Sequence, residues 1–92
     1  MMYPYQVLSD KTEIVHSHLF IENGVKKVIV HFERPTENGF DSARCSLPDY
    51  TWIYKYGYSA NEISFFEQLL HENKQELYKL AYKNFGFVKF FV

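Results

Sequence analysis

The sequence predicts an α+β fold, in which an antiparallel four-strand meander is packed by one long C-terminal helix. Two observations carry this prediction: the first half of the chain holds β-branched and aromatic runs separated by turn residues, and the second half repeats apolar residues at helical spacing. Runs of strands followed by a helix are typical of α+β proteins. A chain of 92 residues fits a single domain, residues 1–92.

The clearest strand signal is an Asn-Gly pair that separates two strand-like runs. EIVHSHLFIE (13–22) and VKKVIVHFE (25–33) flank Asn23-Gly24. A two-residue type I′ turn needs positive φ at both central positions, which Asn and Gly tolerate. The sequence therefore predicts a β-hairpin over residues 13–33.

The turn also predicts which residues face each other, since a two-residue loop fixes the register of a hairpin. His16 should lie opposite His31, and His18 should lie opposite Ile29. Alternation then places these histidines on the more polar face of the sheet. The core face should hold Val15, Ser17, Leu19, Ile21, Val28, Val30 and Phe32.

Two more short strands are predicted after the hairpin. RPTENG (34–39) is typical of a loop, while FDSARCSL (40–47) and YTWIYKY (50–56) are typical of strands, interrupted by Pro48-Asp49. The first ten residues are ambiguous, because Pro4 limits any strand there to a sheet edge.

One helix is predicted over residues 60–84. Ser59 and Glu62 have the spacing of a capping box, in which each side chain accepts from the other residue's backbone N–H. Asn84 to Gly86 supplies a stop signal. The apolar tail FVKFFV (87–92) is β-prone and could add a strand at a sheet edge. The apolar helix positions are Ile63, Phe66, Leu69, Leu70, Leu77, Leu80 and Ala81.

The composition narrows the classes of function. Eight Tyr, nine Phe and one Trp can close a small core, and the excess favours a dimer or another partner. A net charge of −1 argues against broad electrostatic capture of nucleic acid or anionic membranes. Cys45 is the only cysteine, and neither a signal peptide nor a membrane span is apparent, so we expect a cytoplasmic protein with no membrane partner.

Three stretches resemble a family of small bacterial proteins, the domain of unknown function 4160. They are HFERP (31–35), SARCSLPDY (42–50) and GYSANEISFFEQLLHENKQELYKLAYKNFG (57–86). Members are similar in having a strand that leads into His-x-Glu-Arg, then a short strand with Ala-Arg or Ala-Lys, then Gly-Phe/Tyr-Ser before a long helix. The resemblance covers about residues 28–86.

The resemblance is incomplete at the family's Pro-Pro-His-x-His motif. Lys27 and Val28 occupy the proline positions, Ile29 occupies the first histidine position, and only His31 carries over. Tyr82 stands where the family commonly has Trp. The resemblance implies a fold and a bacterial operon setting beside another small protein, sometimes with toxin–antitoxin linkage. It implies no established chemistry.

The histidine face raises a metal-site hypothesis. In the predicted register His16 and His31 are close enough to share zinc or another divalent ion, with His18 as third ligand and Glu33 as a carboxylate neighbour. Such a site would indicate a metal-dependent hydrolase or nuclease. We favour the alternative, a polar sheet face whose imidazoles bind solvent and neighbouring side chains, with no cofactor and no catalytic residue.

The strand at 50–56 raises a second hypothesis. Alternation places Trp52, Tyr54 and Tyr56 on one side, where their rings could stack single-stranded nucleic acid with help from Lys79 and Lys83. The same rings could form the floor on which the helix packs. We favour packing, because the chain is net negative.

The expectation that follows is a non-enzymatic interaction protein that binds a protein partner or itself, in a toxin–antitoxin or mobile-element module. The hydrolase and the nucleic-acid binder stay open as alternatives. The expected partner contacts are Phe20, Ile29, Phe87, Phe90 and Phe91.

Overall fold

The structure is a computed structural model that describes the backbone of residues 1–90 and the side chains of residues 1–84. Six strands precede one long helix, so the predicted α+β class is confirmed, with two strands more than expected. The elements are β1 (Met2–Val7), β2 (Glu13–Ser17), β3 (Phe20–Glu22), β4 (Val25–Thr36), β5 (Gly39–Leu47), β6 (Thr51–Tyr56) and α1 (Ala60–Phe90).

The sheet is antiparallel and is organised around β4. Its strand order is β1-β2-β4-β5-β6, and β3 pairs with β4 beyond the end of β2. The 12 residues of β4 thus pair with β2, β3 and β5. The pairing of each neighbour with β4 therefore decides which side chains meet on each face.

β4 and β5 form a longer hairpin than expected, because strand pairing continues as far as Thr36. The loop predicted at 34–39 shrinks to a turn at 37–38. The physical reason is a cross-strand ion pair: Arg34 Nη2 lies 2.6 Å from Asp41 Oδ2, and opposite charges that face each other stabilise paired strands.

β1 resolves the ambiguous N-terminal segment as an edge strand paired with β2. Pro4 lies opposite Val15, and the pairing shifts between Pro4 and Gln6. Proline is tolerated here because an edge strand need not donate every backbone N–H. The proline and the irregularity also hinder pairing of this edge with another chain.

α1 begins at the predicted capping box. Ser59 Oγ accepts from the Glu62 N–H at 3.1 Å, and Glu62 Oε1 accepts from the Ser59 N–H at 2.9 Å. Two backbone donors at the start of the helix are thereby satisfied. In the described part of the chain, no helix combines the length and the apolar character that a membrane crossing requires.

α1 ends later than the sequence predicts. The helix runs to Phe90, past the stop expected at 84–86. A glycine inside a helix costs only about 1 kcal/mol relative to alanine. Asn84 Nδ2 also donates to Leu80 O at 3.0 Å, one turn back along the continuing helix, instead of ending it.

The apolar tail does not form the strand that we expected. Residues 87–90 are helical, and residues 91–92 lie outside the described residues. The side chains of Phe87, Phe90 and Phe91, which we named as partner contacts, are also outside the described side chains.

The core lies between α1 and one face of the sheet, which we call the helix face. Phe32 of β4 stacks on Phe66 of α1 with ring centroids 4.3 Å apart. A hydrogen bond also joins the helix to the sheet: Trp52 Nε1 donates to Glu67 Oε2 at 2.8 Å. The buried apolar residues are Ile14, Leu19, Val28, Val30, Phe32, Ala43, Cys45, Leu47, Ile63, Phe66, Leu69, Leu70, Leu77 and Ala81.

The opposite side of the sheet, which we call the outer face, is not covered by α1. Strand alternation assigns positions to it through the pairing of β2, β4, β5 and β6. Its residues include Glu13, Val15, Phe20, Lys27, Ile29, His31, Glu33, Ser42, Arg44, Ser46, Tyr54 and Tyr56, and the edge strand β1 adds Pro4 and Val7.

Candidate functional site

The register of the first hairpin changes partway along it. Next to the Asn-Gly turn, Phe20 lies opposite Lys27, as predicted. Further from the turn, however, His16 lies opposite Val30, so the predicted pairing of His16 with His31 is wrong. The strand that holds β2 and β3 contains one residue more than the stretch of β4 that it faces.

The extra residue is accommodated between Ser17 and Leu19. Ser17 Oγ accepts from the Ile29 N–H at 2.9 Å and donates to His18 O at 2.8 Å. The Leu19 N–H donates instead to Ala81 O of α1 at 3.0 Å. Because one added residue reverses the alternation, every β2 side chain beyond this point lies on the face opposite to the one predicted.

Two β2 residues show the effect on the predicted core. Val15, expected on the core face, lies opposite His31 on the outer face. Ile14, absent from the predicted core, is 1% exposed and belongs to the core cluster. Ile21, in β3, is also not a core residue, since it is 57% exposed.

His16 is consequently a core histidine. It is 2% exposed, and its Nδ1 donates to Ser17 O at 2.8 Å. The rings of Tyr3 and Tyr5 lie 5.7 Å and 6.5 Å from its own. His16 therefore packs on the helix face, on the other side of the sheet from His31.

The structure does not assemble the four residues of the metal-site hypothesis. His16 is separated from His31 and Glu33 by the sheet, and His18 contacts Phe20, at 6.3 Å between ring centroids. Among the described residues, no group of three or more His, Cys, Asp or Glu side chains is arranged to hold a metal ion.

A second irregularity divides the aromatic residues of β6. Cys45 lies opposite Trp52 and Arg44 lies opposite Tyr54, so Ile53 is the additional residue. Trp52 therefore faces the helix, with its ring 5.8 Å from Phe32. The expectation that Trp52 shares a face with Tyr54 and Tyr56 is wrong for this reason.

Tyr54 belongs to a polar cluster on the outer face. Arg44 Nε donates to His31 Nδ1 at 3.4 Å, and Tyr54 OH lies 3.3 Å from the same nitrogen. His31 Nε2 lies 3.4 Å from Glu33 Oε2, and Ser42 Oγ donates to Tyr54 OH at 3.4 Å. Since arginine can only donate, Nδ1 accepts, and the ring proton on Nε2 is directed to Glu33.

The Arg44 guanidinium contacts both His31 and Tyr54 in this cluster. Its central carbon lies over the Tyr54 ring, 5.9 Å from the ring centroid, which is within cation–π distance. In the described part of the chain, no carboxylate lies within ion-pair distance of Arg44. Its terminal nitrogens therefore remain available to an anion from outside the chain.

Arg34, the only other arginine, has opposite surroundings. It forms ion pairs with Asp10, Asp41 and Glu62 at 2.9, 2.6 and 2.6 Å. Hydrogen bonds to Glu62 and then Asp41 raise the pKa of Arg34 above its ordinary value. In return, the hydrogen bond from Arg34 is the largest cause that lowers the pKa of Glu62.

A surface pocket of about 330 Å³ lies beside this ion-pair cluster, at the start of α1. Sequence reasoning missed both, because the charged residues are far apart in the chain and share no motif. The pocket is lined by Leu8, Ser9, Asp10, Asn61, Glu62, Phe65 and Phe66.

The other residues singled out in the sequence lie in different places. Phe20 and Ile29, expected to contact a partner, are half-buried on the outer face. Lys79 and Lys83 are exposed on α1, across the sheet from Tyr54, so the proposed nucleic-acid residues do not form one surface. Arg44 was missed because no sequence signal marks it beyond its Ala-Arg setting.

Comparison of the chain with protein-family models, with curated proteins and with solved structures found no match. The resemblance to the domain of unknown function 4160 therefore stays a prediction. His31, the histidine carried over by that resemblance, lies at the centre of the outer-face cluster.

Proposed function

We propose that this chain is a non-enzymatic protein–protein interaction module of the bacterial cytoplasm, and that its outer face binds the partner. The observation that carries the proposal is an uncovered sheet face on which Arg44 and Tyr54 both contact His31. The operon setting implied by the family resemblance favours a toxin–antitoxin or mobile-element module.

The residue types on the outer face support protein binding. Tyrosine and arginine are enriched among the residues that dominate binding energy at protein interfaces. Tyr54 is 40% exposed and Tyr56 is 70% exposed, beside the half-buried Ile29 and Arg44. A ring already held by neighbours loses little conformational entropy when a partner binds it.

The chemistry of the same face favours binding over catalysis. Both ring nitrogens of His31 are directed to neighbouring side chains, so neither is presented to a substrate. Cys45, the only thiol, is buried on the helix face, and burial raises its pKa to about 12. A thiol in that state is a poor nucleophile.

A binding assay with the product of the neighbouring gene tests this proposal. The double substitution Tyr54→Ala and Tyr56→Ala should weaken the complex by about 30-fold, because loss of an interface anchor costs on the order of 2 kcal/mol. Isothermal titration calorimetry of the purified proteins measures the change. The matched control is Phe65→Ala, which removes an aromatic ring that is 52% exposed on α1.

Equal affinity of the wild type and the double variant would contradict the outer face as the binding surface. The same conclusion would follow if the chain bound neither the neighbouring product nor itself. Circular dichroism of each variant establishes that a lost interaction does not come from a lost fold.

A further inference from the structure

We propose that the outer face binds a second copy of this chain, face to face across a twofold axis, with Arg44 of each copy paired to Glu33 of the other. This inference rests on the proposed function, since it names the occupant of the same surface. It follows from the charges on the outer face, from their spacing and from the exposed aromatic rings.

The outer face carries charges that lack partners of opposite sign. Glu13 and Glu33 lie directly opposite each other on paired strands, an arrangement of like charges that is unfavourable. The Glu33 side chain is 45% exposed, and its carboxylate pairs with the His31 imidazole and with no Lys or Arg among the described residues, where Arg44 likewise has no carboxylate partner. One face therefore presents a guanidinium without a carboxylate partner beside two glutamates that, in the described part of the chain, have no Lys or Arg partner.

Arg44 and Glu33 lie close together on the outer face. Arg44 lies opposite His31, and Glu33 is two residues further along the same strand, so the two charges are diagonal neighbours about 7–8 Å apart at the backbone. Arg44 turns toward Tyr54 instead of bridging this distance. A twofold axis between them would place each charge over its opposite on the other copy, and every such contact would occur twice.

The area of the outer face matches that of a weak interface. Five adjacent strands at ~4.8 Å spacing and about six residues at ~3.4 Å each give a face of roughly 24 by 20 Å. Two such faces bury on the order of 1,000 Å², the lower limit for a specific interface. Tyr54 and Tyr56 supply exposed apolar surface within it. We therefore expect a dimer with a dissociation constant in the micromolar range.

The outer face carries both positive and negative charges, which favours a second copy of the chain over a nucleic acid as its ligand. A polyanion would bring phosphates against Glu13 and Glu33 as well as Arg44, in a chain whose net charge is already −1. A surface that carries both signs side by side is complementary to itself. The second copy needs no charge that this chain does not already provide.

Charge reversal in the full-length chain tests the inference through sedimentation velocity and light scattering. Arg44→Glu and Glu33→Arg should each weaken the wild-type dimer at least tenfold, because each places like charges against each other twice. An equimolar mixture of the two variants should form a heterodimer with nearly wild-type affinity, because all facing charges are then opposite. Lys79→Glu makes the same charge change on exposed α1 and should leave the dimer unchanged.

A wild-type chain that stays monomeric at millimolar concentration would overturn the inference. A mixture that dimerises no better than its components would do the same. If circular dichroism shows that either charge-reversal variant does not fold, the neutral variants Arg44→Gln and Glu33→Gln are tested in its place. Dimerisation of both neutral variants at wild-type strength would contradict the inference. A monomeric wild type that still binds the neighbouring product through Tyr54 leaves the proposed function standing and removes only the second copy as occupant.

Discussion

Arg34 links three separate parts of the chain through its guanidinium. It contacts Asp10 before β2, Asp41 on β5 and Glu62 in the first turn of α1. Its side chain is 20% exposed, so the ion pairs are partly shielded from solvent. Removing the cation would leave three carboxylates close together, which costs more than the loss of one exposed ion pair.

Replacing Arg34 should therefore lower the stability of the fold. We expect Arg34→Gln to reduce the free energy of unfolding by about 2 kcal/mol at neutral pH, as measured by urea denaturation. Lys79→Gln, which neutralises an exposed cation on α1, is the control and should change stability by less than about 0.5 kcal/mol. Equal stabilities of the two variants would refute a role for the cluster.

The pH dependence of stability provides a second measure of the same cluster. The pKa of Glu62 is lowered, first by the hydrogen bond from Arg34 and then by the backbone N–H of Ser59. Its stabilising contribution is therefore complete above the ordinary value of 4.5 and is lost as the pH falls through the lower, folded value. Arg34→Gln removes the largest cause, so stability of the variant should fall less steeply in that acidic range.

At the scale of elements, two irregularities decide which side chains meet. The extra residue near Ser17 moves His16 into the core, and the extra residue Ile53 moves Tyr54 to the outer face. Local patterns predicted the Asn-Gly turn, the capping box and the helix start, since each depends on residues close in sequence. They could not predict the bulges, because these depend on contacts between residues far apart in sequence, such as the hydrogen bond from the Ile29 N–H to Ser17 Oγ.

The bulge in the first hairpin, between Ser17 and Leu19, depends on the Ser17 hydroxyl. Ser17→Ala leaves the Ile29 N–H without its acceptor and should lower the free energy of unfolding by about 1–2 kcal/mol. Hydrogen exchange of the Ile29 amide should accelerate more than that of amides in the β4–β5 hairpin. Ser64→Ala on the exposed side of α1 is the control. Unchanged protection at Ile29 would contradict the bond.

At the scale of the whole molecule, one helix covers one side of a sheet and leaves the other side open. The sequence predicted this architecture because strand runs precede a single helical pattern. It did not predict the His31, Arg44 and Tyr54 cluster, which forms only where three strands align in register. The candidate site is therefore a product of topology. His31, Glu33 and Tyr54 were named in advance, and only the placement of Glu33 beside His31 was correct.

The outer face is the main functional feature proposed for the molecule, and an NMR dilution series is the most direct test of its role. Amide spectra recorded from about 1 mM to about 20 µM span the dissociation constant expected for a weak dimer. We predict concentration-dependent shifts at His31, Arg44 and Tyr54, with constant positions for Ser64 and Lys79 on α1. Spectra that do not change on dilution, or that change on α1 alone, would contradict the assignment of the outer face as the surface that binds a second copy.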